Sequence, residues 1–429
     1  MIEQLEKHFD GNNLNDEFQS AYRANHSTET ALLHIVDSVL KSMDNRQAVY
    51  MVMLDLSAAF DTINHGIIIE RLSNTQGIGP RITDWLASYL RGRTQRVSVD
   101  GATSDHVQLL DGAVQGSKMG CRLYKKYVEP LGSMLKKSDC DYHGYADDNS
   151  IWKSVDPKST VSIKTGLTSL NDTIEKTRNW MFANKLCLND SKTEFIVFGL
   201  KRHVSALPTC SVKIGEETIE SVNVVKNLGV LLDTQLDMRS HIANIVKICR
   251  FHIRRAWHIR RFLNEEAAKR IMLSTVMCRL DYCNSLLINL PQKDIAKLKQ
   301  IQNAAARLIA RKPKIESIKP VLKTLHWLPV AYRIRFKIAV IVHRCVHGTA
   351  PTYLRSMLTQ YVPKRNLRSS NDIAVKLVVP RVNQKAVGNR AFSTAGPQIW
   401  NELPSAIRVI ESIDVFKKKL KTYYFECAF

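Results

Sequence analysis

An apolar run that ends abruptly in a carboxylate constrains the fold of this chain more than any other feature. Residues 48–54 read Ala-Val-Tyr-Met-Val-Met-Leu, and Asp55 follows directly. A continuous apolar run of this length predicts a strand that is covered on both faces, in the middle of a sheet. A carboxylate at the end of such a strand is costly to bury unless a cation or hydrogen-bond donors meet it.

A pair of carboxylates follows about ninety residues after Asp55. Residues 142–152 read as a hairpin whose turn is Asp147-Asp148. Three carboxylates from two adjacent strands are a natural seat for two Mg²⁺ ions about 3.5–4 Å apart, and Mg²⁺ prefers a few carboxylates plus phosphate oxygens. An Asp-Asp pair taken alone is also ordinary turn chemistry, so the surrounding motifs decide between the two interpretations.

The remaining patterns predict a mixed α/β first half and a helical second half. Further strands are predicted at 95–99, pairing with 106–110, and at 192–199 and 224–232. Helices are predicted at 27–43, 65–72, 80–90, from the loop 112–120 to about 137, and at 165–181, 242–263, 265–277, 293–310 and 329–347. The character of the chain changes after Asp233, where we place a domain boundary.

The charge is divided at the same point. Residues 1–233 contain 26 Lys and Arg against 29 Asp and Glu, whereas residues 234–429 contain 36 against 11. A near-neutral half followed by a strongly basic half indicates a catalytic body with a polyanion-binding appendage. A basic protein that binds nucleic acid only nonspecifically fits the charge equally well.

The cysteine pattern and the hydropathy predict the redox state of the thiols and the absence of a membrane span. The nine cysteines are scattered without a C-x-x-C pair, which indicates reduced thiols in an intracellular protein. His343, Cys345 and His347 alternate, but a helical core segment is favoured over a metal site there. No apolar run reaches the roughly 20 residues that a membrane span needs.

Six ordered blocks of sequence resemble the reverse transcriptases of non-LTR (LINE-type, Jockey-like) retrotransposons. They are Gln19–Arg23 with His26–Leu32, Leu54–His65 around Leu-Asp-Leu-Ser-Ala-Ala-Phe-Asp, Gln115-Gly116-Ser117, Tyr145-Ala146-Asp147-Asp148, Asn184–Thr193, and Asn227-Leu228-Gly229-Val230. Leu325–Val330 and Phe392–Pro404 resemble the basic tail of the same elements.

The resemblance implies a catalytic and metal-binding set. Asp55 and Asp147 would bridge two Mg²⁺ ions, with Mn²⁺ as an alternative ion, while Asp148 supports them and the Leu56 carbonyl completes one metal's shell. It also implies a nucleotide-binding and template-binding set, which is Arg23, Phe60, Gln115, Gly116, Ser117 and Lys192. Phe60 would exclude a ribose 2′-hydroxyl; the alternative is that Phe60 is a core aromatic. Lys192 would protonate pyrophosphate; the alternative is that Lys192 is a solvated surface lysine.

The basic half offers a candidate nucleic-acid-binding face. Arg254, His258 and Arg261 follow i, i+4, i+7 spacing, so one side of a helix could follow a phosphate backbone. Ile253 and Trp257 fall on another side, where we expect them to pack in the core.

The helix after Ser117 departs from the family pattern. Lys125 and Lys126 stand where the family is largely apolar, which costs stability unless the amino groups reach solvent or nucleic acid. We also expect that the upstream fingers segment and an endonuclease domain are missing from this chain.

Together these observations predict an α+β fold: a right-hand polymerase palm with an antiparallel sheet and reduced fingers, followed by an all-α basic thumb and tail. The expected domains are fingers and palm at 1–233, a helical basic thumb-like region at 234–347 and a tail region at 348–429. The expected partners are an RNA template, a DNA primer and dNTPs, with no membrane, in an element-encoded ribonucleoprotein of the nucleus or cytoplasm. The alternatives are a catalytically inactive relic that binds nucleic acid and a palm-fold nucleotide cyclase, which would not explain the Gln115 motif.

Overall fold

The order of helices and strands is given by a computed structural model that describes residues 1–57, 60–114, 116–208, 210–362 and 374–429. The strands are β1 (Ala48–Leu54), β2 (Leu56–Ser57), β3 (Thr94–Gln95), β4 (Ser98–Val99), β5 (Ala102–Thr103), β6 (Val107–Gln108), β7 (Asp141–Tyr145), β8 (Asp148–Val155), β9 (Cys187–Leu188), β10 (Glu194–Phe198), β11 (Ser211–Ile214), β12 (Glu217–Val222), β13 (Val224–Asn227) and β14 (Val230–Asp233). The α-helices are α1 (Ile2–Gly11), α2 (Thr28–Asp44), α3 (His65–Asn74), α4 (Pro80–Leu90), α5 (Lys118–Leu135), α6 (Thr160–Ala183), α7 (Lys201–Val204), α8 (Arg239–Ile259), α9 (Glu265–Met272), α10 (Cys278–Asp281), α11 (Gln292–Ala310), α12 (Lys319–Thr324), α13 (Val330–Val346), α14 (Thr352–Arg355), α15 (Lys385–Gly388), α16 (Phe392–Glu402), α17 (Ser405–Arg408) and α18 (Ile413–Ala428).

These elements form two compact units. The first unit contains Met1–Ser27, Val49–Val197 and Ala206–Val222. The second contains Thr28–Ala48, Phe198–Ser205 and Asn223–Phe429. The division of the chain into domains 1–233, 234–347 and 348–429 stays a prediction.

A six-stranded sheet with the order β11-β12-β10-β1-β8-β7 forms the first unit's centre. Val49, Tyr50, Met51 and Val52 are fully buried in β1, as the apolar run predicts. The β7–β8 and β11–β12 pairs are antiparallel, but β10 and β12 are parallel. The prediction of an antiparallel sheet is therefore wrong for this pair, because the chain crosses over between β10 and the β11–β12 hairpin and so brings β12 back in the direction of β10.

The hairpin predicted at 142–152 and the single strand predicted at 224–232 both need a correction. The hairpin at 142–152 is confirmed, but Asp148 already pairs with Tyr145 as the first residue of β8, so the turn lies at Ala146-Asp147. The segment 224–232 is a hairpin, not one strand, because Leu228 and Gly229 have φ values of +44° and +81°. Two consecutive residues with positive φ make the tight turn that suits paired strands.

Helix α5 buries both lysines that depart from the family pattern. Lys125 is 4% exposed and Lys126 is 1% exposed. The Lys126 Nζ donates to the Leu14 carbonyl at 2.5 Å and lies 4.0 Å from the centre of the Phe9 ring. The Lys125 Nζ lies 3.4 Å from the Glu6 carboxylate. The N-terminal helix α1 and the loop after it therefore supply the partners that the lysines need, in place of solvent.

Buried polar side chains fix the helices of the second unit. Arg260 donates to the carbonyls of Leu308 and Ile309 at 2.7 and 2.6 Å, so a cation satisfies the C-terminal end of α11. In α2, Asp37 accepts a 2.8 Å bond from the backbone N–H of Ser393. The helix at 329–347 is confirmed as α13, where the buried His343 has a 2.7 Å hydrogen bond with the Ile410 carbonyl.

Every helix in the described ranges is too short or too polar to cross a bilayer.

Replacement of Lys126 by methionine tests the cost of its burial. Burial lowers the pKa of Lys126 to about 7. Between about pH 7 and 10 the unfolded chain then binds one proton more than the folded chain, so native stability rises with pH in this window. We expect Lys126→Met to be more stable at pH 7, on the order of 1 kcal/mol, and to lack this rise. Thermal unfolding between pH 6 and 10 measures both; the exposed Lys137→Met is the control, and an unchanged pH dependence in Lys126→Met would contradict the prediction.

Candidate active site

Asp55 leaves the central strand at a polar corner of the first unit. Its backbone carbonyl accepts a 2.9 Å hydrogen bond from the Asn189 N–H, and its carboxylate lies 3.1 Å from the Lys192 Nζ. Strand β2 follows at once and pairs Leu56 with Leu188 of β9. The paired short strands β2 and β9 therefore hold Leu56 and Lys192 close to Asp55.

The turn that carries Asp147 is held by an amide from another part of the chain. The Gln19 Oε1 accepts from the Ala146 N–H at 2.9 Å, and the Gln19 Nε2 donates to the Ala146 carbonyl at 3.2 Å. Ala146 has a φ of +57°, a left-handed conformation that costs a non-glycine residue about 1–2 kcal/mol. Gln19 thus satisfies both polar groups of a strained peptide.

The segment before Gln19 also extends the β7 edge of the sheet. The Gly144 N–H donates to the Phe18 carbonyl at 2.9 Å, and the Ser20 N–H donates to the Gly144 carbonyl at 3.0 Å. A Cβ on Gly144 would lie 2.9 Å from the Gln19 Nε2, so a larger residue there would displace the amide that holds Ala146. Two separate sequence blocks, at 19–23 and 145–148, are therefore one structural element.

The three carboxylates interact electrostatically. Strand β1, which ends before Asp55, is the neighbour of β8, which Asp148 begins. Partial desolvation, then the charges of Asp147 and Asp55, raise the pKa of Asp148 to about 6. Desolvation and the charge of Asp55 also raise the pKa of Asp147. An excess of negative charge is concentrated at this corner.

The chemistry of these donors fits a hard divalent cation. Magnesium selects carboxylate oxygens, and repulsion among the carboxylates is relieved when a cation binds them. Within the described residues, however, no three His, Cys, Asp or Glu side chains already stand close enough to hold a metal ion. The carboxylates are therefore near one another without forming a closed cage, and Lys192 supplies a positive charge beside Asp55.

An aromatic cluster surrounds Phe60. Its ring stacks on Tyr124 with centroids 5.0 Å apart and meets Tyr22 edge-on at 6.4 Å. Tyr124 is 1% exposed, and desolvation, then the charge of Asp147, raises its pKa well above the ordinary value. Tyr124 was not identified in the sequence analysis. Its position on the same unusual helix as Lys125, seven residues after Ser117, is the signal that could have identified it.

The other residues of the predicted nucleotide-binding set serve local structure. Gly116 has a φ of +79°, which a larger residue would strain, and the Ser117 Oγ caps α5 by accepting from the Gly120 N–H at 2.9 Å. The Arg23 Nη1 donates to the carbonyls of Asp16 and Gln19 at 2.6 and 3.2 Å. Gln115 lies outside the described residues. Contacts of this set with a nucleotide stay predictions.

A separate basic face lies in the second unit. Arg254, His258 and Arg261 are all exposed along α8 and the turn that follows it. The expectation that Trp257 packs in the core is wrong: 57% of it is exposed, as are 54% of Phe251 and 74% of Phe262. At i+3 and i+4 spacing these aromatics lie among the cations. We call Phe251, Arg254, Trp257, His258, Arg261 and Phe262 the basic aromatic face.

Comparison with known proteins gives a clear family match. A sequence model described as "Reverse transcriptase (RNA-dependent DNA polymerase)" matches residues 1–232. The chain is 26% identical over 249 residues to the RNA-directed DNA polymerase from mobile element jockey of Drosophila melanogaster, which covers 56% of this chain and 26% of that protein. It is 26% identical over 317 residues to the probable RNA-directed DNA polymerase from transposon X-element of the same fly, covering 68% and 32%.

Two solved telomerase structures align distantly with this chain. Telomerase from Candida tropicalis in complex with a fragment of telomeric RNA aligns at 13% identity and a TM-score of 0.41, over 78% of this chain and 53% of that one. Apo telomerase from the same organism aligns at 13% identity and a TM-score of 0.39. The family assignment does not depend on these alignments. The chain spans about a quarter to a third of the length of the curated relatives it matches.

Two substitutions test whether Gln19 holds the turn of the carboxylates. Gln19→Leu leaves buried polar groups of Ala146 without partners, so we expect a loss of about 2–4 kcal/mol. Ala146→Gly removes the left-handed cost and should stabilise the chain by about 1 kcal/mol. Urea unfolding of the full chain measures both, with the exposed Gln4→Leu as the control. Equal effects of Gln19→Leu and Gln4→Leu would show that Gln19 does not stabilise the turn.

Proposed function

Because the chain belongs to the reverse transcriptase (RNA-dependent DNA polymerase) family, we propose that it copies an RNA template into DNA by extending the 3′-hydroxyl of a primer with deoxynucleotides. The observation that carries the proposal is the electrostatic coupling of Asp55, Asp147 and Asp148 at the corner where β1 ends and β8 begins. Residues 1–233 would form fingers and palm, 234–347 a thumb-like region and 348–429 the tail of a non-LTR retrotransposon polymerase.

The carboxylates would hold two Mg²⁺ ions. Asp55 and Asp147 would bind both ions, Asp148 would support them from the first position of β8, and the Leu56 carbonyl would complete one shell. When bound, the pair of ions lowers the pKa of the primer hydroxyl and stabilises the charge on the leaving pyrophosphate. The raised pKa values of Asp147 and Asp148 support this assignment, since carboxylates that repel one another gain most from a shared cation.

Lys192 would act at the leaving group. Its Nζ lies 3.1 Å from the Asp55 carboxylate while 66% of its side chain is exposed, so it can exchange this partner without disturbing a packed core. With Asp55 engaged in holding a cation, the Lys192 ammonium would be available to donate a proton to pyrophosphate. The alternative for Lys192 is a surface lysine whose only role is to neutralise Asp55.

The aromatic cluster would select deoxynucleotides. The ring of Phe60 would occupy the position of a ribose 2′-hydroxyl, and its stacking on Tyr124 would fix that ring in place. Gln115, Gly116 and Ser117 would line the nucleotide and the template strand next to it. Arg23, whose Nη1 lies against the backbone of residues 16–19, would contribute positive charge near the nucleotide.

The basic aromatic face would bind the template–primer. Arg254, His258 and Arg261 would follow the phosphates, while Phe251, Trp257 and Phe262 add ring surface that can pack on sugars or bases. The exposure of three large aromatic rings among cations supports this role, because scattered lysines alone would indicate only a solvated surface.

Primer extension tests the polymerase. Full-length protein, an RNA template, a DNA primer, Mg²⁺ and dNTPs should give extended primer. The Asp147→Asn/Asp148→Asn variant should lose at least about 100-fold in rate, because the metal-bound charges supply several kcal/mol of transition-state stabilisation. The matched control is Asp139→Asn/Asp141→Asn, which changes the same charge at the other end of the β7–β8 hairpin. Template–primer binding without extension by the wild type would overturn the proposal in favour of an inactive nucleic-acid-binding relic.

Ribonucleotide incorporation tests the aromatic cluster. Phe60→Ala should raise ribonucleotide use relative to deoxynucleotide use about tenfold or more, a typical effect for one steric contact. Tyr124→Leu should raise it to a smaller extent, because Phe60 loses the ring on which it stacks. Tyr124→Phe keeps that ring and should leave the ratio unchanged. The ratio of kcat/KM values for the two substrate types is the measurement, and an identical ratio in wild type and Tyr124→Leu would refute the positioning role.

A further inference from the structure

A cavity of about 310 Å³ lies within the second unit, in a region that the proposed function leaves without a role. Four basic side chains line it: His326, Arg333, Lys337 and Lys421. Its volume falls at the lower end of the range of small-molecule sites. All of its lining residues lie outside the segment 1–232 that the family model matches and outside the basic aromatic face.

One wall is the motif Leu325–Val330, which is clamped in place by a single buried amide. The Gln302 Nε2 donates to the Leu328 carbonyl at 2.8 Å, and its Oε1 accepts from the Val330 N–H at 3.1 Å. Gln302 is fully buried, and Trp327 is 4% exposed. His326 between these anchors is exposed and has a φ of +54°, a conformation that non-glycine residues adopt at a cost. The motif thus holds an imidazole rigidly at the cavity.

Carboxylates position two further cations of the lining, Arg333 and Lys337. The Lys337 Nζ lies 3.1 Å from the Glu29 Oε2, while the Glu29 Oε1 accepts from the Ser285 N–H and Oγ at 3.1 and 2.7 Å. The Arg333 Nε donates to the Asp281 Oδ1 at 2.7 Å, and a second bond joins the same two side chains. Lys421 makes no ion pair within the described ranges. Positive charge is therefore in excess around the cavity.

An unsatisfied amide and an aromatic ring complete the lining. Asn284 is 1% exposed, and its Oδ1 has no hydrogen-bond partner within the part of the chain that the structure describes. Its Nδ2 makes only a long 3.4 Å bond with Asp281. Buried amide oxygens in proteins are nearly always satisfied, so this one calls for a donor from outside the chain. Phe336, which is half-buried, lines the same space.

We propose that this cavity binds a single nucleotide unit, with the phosphate near Lys337 and Lys421, the base against Phe336 and a base N–H directed at Asn284. Cations, a ring face and a buried amide acceptor are together the chemistry of nucleotide recognition. The same chemistry is offered by a free nucleoside monophosphate and by an unstacked nucleotide of a single-stranded RNA. The site goes beyond the proposed polymerase, since no residue of it belongs to the candidate active site.

Isothermal titration of the full chain with AMP, CMP and inorganic phosphate tests the site. Magnesium and dNTPs are left out, and the Asp147→Asn/Asp148→Asn variant is titrated in parallel, so that failure of the polymerase does not affect the result. We expect nucleotide binding in both proteins and a loss of about tenfold or more in Lys421→Glu, as for one charge-assisted contact. Lys418→Glu, the same charge change on an exposed position of α18, should bind as the wild type does.

A second arm distinguishes the two nucleotide sources. A single-stranded RNA that carries 4-thiouridine is crosslinked to the protein, and the peptide that contains Phe336 is sought by mass spectrometry. Crosslinking there that excess AMP competes away supports a nucleotide of an RNA chain in this cavity, whereas AMP binding without such a crosslink supports a free nucleotide. The proposal is overturned if neither ligand binds, if phosphate alone binds as well as AMP, or if Lys421→Glu and Lys418→Glu lower the affinity equally.

Discussion

The arrangement of the candidate active site depends on one buried amide, that of Gln19. A strand that ends in Asp55 and a hairpin that turns at Ala146-Asp147 can carry three carboxylates, but the turn needs a left-handed alanine. Gln19 makes that conformation tolerable because it replaces the hydrogen bonds that the peptide of Ala146 would otherwise make with water. The chain thereby uses backbone pairing along β7, and not side-chain packing alone, to hold Asp147 where its charge is unfavourable.

The carboxylates of Asp147 and Asp148, which would serve the proposed metal binding, reduce the stability of the fold at the same corner. Raised pKa values of Asp147 and Asp148 mean that the folded chain resists full ionisation of this group. Apolar or amide side chains would fold more easily at these positions. The rest of the first unit offsets this loss of stability, since β1 is buried on both faces and α5 is capped by Ser117.

Much of this could be predicted from sequence because the signals were local. The apolar run before Asp55, the hairpin around Asp147 and the helical periods are each set by neighbouring residues. The prediction for Trp257 is wrong because its position on the helix is compatible with both a buried and an exposed side. Only tertiary contacts decide which side is buried. The sequence predicts one strand at 224–232 because Leu228 is not a turn-forming residue, and the hairpin there becomes visible only in the structure. The partners of Lys125 and Lys126 lie more than a hundred residues away, in α1 and the loop after it, and no local pattern identifies them.

The place of α2 has a consequence for how the chain reaches its fold. This helix precedes β1 in sequence, yet its acidic residues are satisfied by segments made much later: Asp37 by Ser393, and Asp44 by the backbone N–H groups of Asn383 and Gln384. During synthesis Asp37 and Asp44 therefore lack these partners until residues 383–393 have left the ribosome. Such loops are slow to close. A ribosome that stops before residue 383 therefore releases a chain in which Ser285 and Lys337 can still bond Glu29 of α2, whereas Asp37 and Asp44 lack these backbone partners.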